Sequence, residues 1–137
     1  MSLNQIHGAA VLVWTPVVGN LVLAVWAWVS GLRGRRTLSP VFWAAVLLVL
    51  AVLAVQAAAG VLLFLGGTPP RRGLHLLYAV LVVVAGGAQY GLRPGAFLRR
   101  FLSAAPESFH EPRVLALLCL TQAALIMRAW MTGLGSP

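Results

Sequence analysis

Apolar residues in this chain fall into four long blocks, at about residues 6–32, 40–65, 74–92 and 114–131, and the stretches between them hold nearly all of the charge. A hydrocarbon core of about 30 Å is crossed by about 20 helical residues, so each block predicts a membrane-spanning helix. The first block could be mistaken for a secretory signal. No basic residue precedes it and an arginine cluster follows it, the reverse of a signal's layout, so it is expected to be a retained helix. The connections from the first block to the second and from the second to the third are short, which makes those neighbours antiparallel. The expected architecture is an all-α, integral membrane, up-down-up-down four-helix bundle forming a single domain over residues 1–137. Small residues at Ala57, Ala58, Ala59, Gly60, Gly86 and Gly87 would let helix backbones approach closely, since lipid provides no hydrophobic drive between helices.

Composition supports the membrane reading. Of 137 residues 61% are hydrophobic and 9% charged, far from the balance of a soluble domain. The ten basic residues are all Arg against Glu107 and Glu111 alone, a net charge of +8 that could suggest nucleic acid. The arginines, however, lie at the ends of apolar blocks and not along a soluble face, so nucleic acid is not an expected partner; the lipid bilayer is. Cys119 is the single cysteine and lies inside an apolar block, which excludes an intramolecular disulfide and a thiolate cluster.

Arginine placement also predicts orientation, because cytoplasmic loops carry the excess of basic residues. Arg33, Arg35 and Arg36 follow the first block, and Arg93, Arg99, Arg100 and Arg113 lie between the third and fourth; only Arg71 and Arg72 occupy the second connection. Seven against two puts the first and third connections in the cytoplasm and both termini on the extracytoplasmic side. Trp26, Trp28, Trp43 and Trp130 fall near block ends, where amphipathic rings favour the headgroup level. Residues 93–113 are expected to form an amphipathic cytoplasmic loop on the inner leaflet, with Phe97, Leu98, Phe101 and Leu102 beside Arg99 and Arg100.

Polar side chains at membrane depth are costly and each invites a functional hypothesis. His7 lies about one turn into the first helix and His75 about one turn into the third, both at the extracytoplasmic end of helices running in the same direction. Two imidazoles at similar depth facing a shared core are the arrangement of a bis-histidine haem, with Gly8, Ala9, Ala10 and Ala79 for clearance and Arg128, Arg71 and Arg72 as cations for propionates. The other reading is that both histidines are interfacial side chains and that Arg128 snorkels to the headgroups. Gln56, Gln89, Asn20, Thr15, Gln122 and Thr121 read as hydrogen bonders between helices. Glu107, His110 and Glu111 have a metal-like spacing, but Pro106 and Pro112 bracket them, so they read as a solvated turn. The blocks contain no carboxylate, which disfavours a proton pump or an ion-coupled transporter.

The order of these features resembles one half of the haem A synthase family over roughly residues 4–85. The resemblance is carried by Gln5-Ile6-His7, the arginine turn from Arg33 to Arg36, Gln56-Ala57-Ala58-Ala59-Gly60-Val61-Leu62, the turn Thr68-Pro69-Pro70, and Leu74-His75-Leu76-Leu77-Tyr78-Ala79. In that family each half is a four-helix bundle in which two outer histidines ligate a haem. The resemblance implies that His7 and His75 are the axial ligands of a b-type haem and that Gln56 and Gly60 are packing positions. Two departures limit what carries over. Asn4 stands where the family's catalytic half has a Glu preceding its first histidine, and the paired outer-loop cysteines are absent. The expectation is therefore not the synthase, nor clearly an enzyme. It is a small bacterial inner-membrane protein that binds haem b through His7 and His75, with Arg128 beside the site, for electron transfer or as a haem-handling accessory of a respiratory oxidase or other membrane complex. The alternative is a cofactor-free structural or assembly subunit of a larger membrane complex.

Overall fold

The computed structural model describes residues 9–67, 73–102 and 109–133, and among these every regular element is helical. There are four long helices, α1 (Ala10–Leu32), α2 (Pro40–Leu65), α3 (Gly73–Gly91) and α5 (Glu111–Gly133), and one short one, α4 (Phe97–Leu102). All four long helices are long and apolar enough to cross a membrane. At most 33% of any of these spans is buried within the chain, and the outward surface is Val, Leu and Trp. Water would not tolerate an apolar surface of that extent, whereas lipid requires it.

Local chemistry sets the helix ends. Gly34, at φ 74°, takes the left-handed conformation that closes α1, and Arg35 N–H reaches back to the Ser30 carbonyl at 3.1 Å. Ser39 caps α2, its Oγ accepting from Phe42 N–H at 3.2 Å, with Pro40 at the first helical position. The fourth span was expected to begin near residue 114, but α5 starts three residues earlier, at Glu111. Arg113 and Val114 N–H both donate to the His110 carbonyl, and Pro112 lies in the first turn, where a missing N–H costs no helical bond. A proline that reads as a loop marker is here part of a helix start.

Helix α5 is the one against which both α1 and α3 pack most extensively; α2 leans on α1 and more lightly on α3. Gly19 permits the α1–α2 approach, since a Cβ there would lie 2.7 Å from Val49 Cγ2. The interior has two apolar clusters. Leu23, Ala27, Phe42, Val46, Leu115 and Cys119 belong to the one nearer the α5 start, and Val13, Val17, Leu53, Val82 and Ile126 make the other. On α1, α3 and α5 alike a buried amide separates the two: Asn20, Gln89 and Gln122.

Candidate functional site

Three polar levels lie along the bundle, and each has its own chemistry. At the α5 start, the solvated turn expected from sequence is replaced by a buried carboxylate: Glu111 is 1% exposed. Its Oε1 accepts from Leu38 N–H at 3.1 Å and from Trp43 Nε1–H at 3.2 Å, and its Oε2 pairs with Arg99 Nη2 at 2.7 Å. One side chain thus joins the first connection, the start of α2 and the short helix α4 to the start of α5, where the helix macrodipole also favours a negative charge. Trp43, expected at the membrane surface, is buried, and Phe42 meets both Trp26 and Trp43 edge-on. His110 is half-buried beside Gly31, and Glu107 lies outside the described residues.

The middle level supplies the partners that the sequence could not assign. Gln89 Nε2 donates to Asn20 Oδ1 at 2.8 Å and lies 3.5 Å from Cys119 Sγ, while Asn20 Nδ2 donates to the Pro16 carbonyl at 2.8 Å. Gln122 Nε2 donates to the Val82 carbonyl at 3.0 Å. These bonds tie α3 to both α1 and α5. Thr15 and Thr121, grouped with them by sequence, face outward. Gly86 is buried against Leu50, Leu53 and Gln122, whereas Gly87 faces open space.

At the opposite end His75 is half-buried, and its Nδ1 lies 2.8 Å from the Ala129 carbonyl of α5. A carbonyl only accepts, so Nδ1 carries the proton and donates. Gly133 makes room for the ring, because a Cβ there would lie 3.0 Å from both Cε1 and Nδ1. Thr132 Oγ1 sits 3.0 Å from the same Ala129 carbonyl and 2.9 Å from that of Arg128. Arg128 itself is exposed. His7, Arg71 and Arg72 lie outside the described residues. Among the described residues no three of His, Cys, Asp and Glu come together as a metal cage.

Sequence reasoning thus picked out His75 but missed Gly133 and the Ala129 carbonyl that hold it, and it read Glu111 as part of a solvated turn where the fold buries it. For Glu111 a signal existed. An acid followed by proline directly ahead of an apolar block is a helix start, and one of only two acids among ten arginines is apt to be paired. No protein-family model, curated protein or solved structure matches the chain.

Proposed function

We propose that this chain is a small multi-pass protein of the bacterial inner membrane that binds a b-type haem through His75 and His7, serving electron transfer or haem handling beside a respiratory complex. The bundle runs up-down-up-down with both termini extracytoplasmic. In support, the start of α5 meets the start of α2, its end meets the start of α3, and the arginine-rich connections all adjoin the Glu111 end.

The observation that carries the haem reading is the seating of His75. An imidazole that ligates a metal nearly always donates its other ring N–H to a carbonyl or carboxylate, which fixes the tautomer and aims the ring. His75 makes that bond from Nδ1 to Ala129, in a recess that any side chain at position 133 would fill. Nε2 would then be the nitrogen that holds the iron. The residues fit the group in this respect, and Arg128, exposed and one position before Ala129 on α5, would supply a cation for a propionate. A haem held by two protein ligands would supply one-electron transfer. The protein's own part is to hold the ring, keep its Nδ1 protonated and place positive charge near the carboxylates.

Protein purified in detergent from haem-replete cells is expected to show a Soret band and a pyridine haemochrome of the b type, both lost in His75→Ala. Colourless wild-type protein, or an unchanged spectrum in His75→Ala, overturns the reading. The second reading, a cofactor-free subunit of a larger complex, draws on the outward-facing Gly87, a small-residue position open to a neighbouring helix. It predicts co-purification of a stable complex and tolerance of His75→Ala.

A further inference from the structure

The short helix α4 is not a slack connector, and its outward face belongs neither to the haem end nor to the bundle interior. Two contacts fix its rotation. Leu98 drops into a notch on α3 left by Gly91, where a Cβ would come within 2.6 Å of Leu98 Cδ1. Arg99 turns inward to the Glu111 carboxylate at 2.7 Å. Gly95, at φ 81°, makes the turn that brings α4 back against α3, with Ala96 N–H bonded to the Arg93 carbonyl.

With Leu98 and Arg99 committed inward, the residues at i, i+3 and i+4 are committed outward: Phe97 is 74% exposed, Phe101 79%, and Arg100 stands between them. Together with Gly95 these side chains line one shallow groove. Arg93 lies next to it, its guanidinium 3.9 Å from the centre of the Tyr90 ring. The only carboxylate described at this end, Glu111, is already paired with Arg99, so the groove has cationic and aromatic character and no described acid to balance it.

We infer that this face is a binding site for an anionic phospholipid of the adjoining leaflet, with the Phe97 and Phe101 rings against the upper acyl chains and the Arg100 guanidinium on the headgroup phosphate. Charge complementarity selects the occupant. A planar guanidinium pairs bidentately with phosphate, and a zwitterionic headgroup would set its own cation against Arg100 and Arg93. A basic residue near an anionic leaflet contributes about 1 kcal/mol, which corresponds to roughly fivefold in retention.

The test is native mass spectrometry of the full-length protein in non-ionic detergent, with phosphatidylglycerol and phosphatidylcholine added in equal amounts. Wild type is expected to retain phosphatidylglycerol preferentially, and Arg100→Gln to lower that preference about fivefold. Arg36→Gln, at an exposed arginine of the first connection, is expected to leave it unchanged. Gly91→Leu, which displaces Leu98 and so reorients α4, is expected to lower it with Arg100 still present. Equal retention of the two lipids by wild type overturns the inference. So does an equal loss in Arg36→Gln and Arg100→Gln, which would reduce the effect to net charge. Capture of a membrane protein on this face in place of lipid overturns it as well.

Discussion

The two ends of the bundle hold their polar groups by opposite means. At the Glu111 end a buried carboxylate is satisfied by a backbone N–H, an indole N–H and a guanidinium from three other parts of the chain. At the His75 end a half-buried ring bonds a backbone carbonyl and is accommodated by a missing side chain. The first arrangement spends every interaction on joining elements, which is how a structural lock is built. The second fixes one nitrogen of an imidazole, the arrangement that the proposed haem site asks of its histidine.

Substitutions can break or sharpen that contrast. The largest effect is expected from Glu111→Ala, which strands Arg99 and leaves two buried donors unpaired. Removing one partner of a buried pair costs about 3–5 kcal/mol, and thermal unfolding in detergent should fall accordingly. Next comes the level between the ends. Gln89→Leu removes the bond to Asn20 and leaves a buried acceptor behind, at about 0.6–2 kcal/mol, the range found for hydrogen bonds between membrane helices. Gly133→Ala should separate stability from chemistry. An added methyl meets the His75 ring at 3.0 Å, so haem content should drop, while the unfolding temperature should change little because Gly133 is the last residue of α5. The smallest change is expected from Gly87→Ala, a gain of up to about 1 kcal/mol with haem unaffected. If instead that variant sheds a co-purifying partner, the cofactor-free subunit reading gains ground.

The spans were legible because hydropathy over some twenty residues is a strong signal and depends on no partner. The α2 bounds followed from the apolar block at 40–65 alone, and the Ser39 cap ahead of Pro40 fixes the same start in the structure. What stayed hidden depended on the third dimension. Glu111 sits in a stretch rich in proline and polar residues, and only the fold back of α4 and the approach of Leu38 and Trp43 turn it into a buried hub. Asn20, Gln89 and Gln122 were recognisable as costly in lipid, but pairing them requires the rotation of each helix about its own axis, which blocks apolar on all sides do not encode. Gly91 and Gly133 resemble any other helix glycine until the side chain that fills the notch is known. His75 stood out because a histidine in an apolar block is rare; its orienting carbonyl has no sequence signature at all.

The contrast between the ends is tested most directly by measuring haem per folded chain in Glu111→Ala and His75→Ala side by side. The expected result is full haem content in the folded fraction of a destabilised Glu111→Ala protein, and none in a His75→Ala protein of near wild-type stability. Equal haem loss in both variants, or retention in His75→Ala, would contradict the division of the molecule into a structural end and a ligand-bearing end.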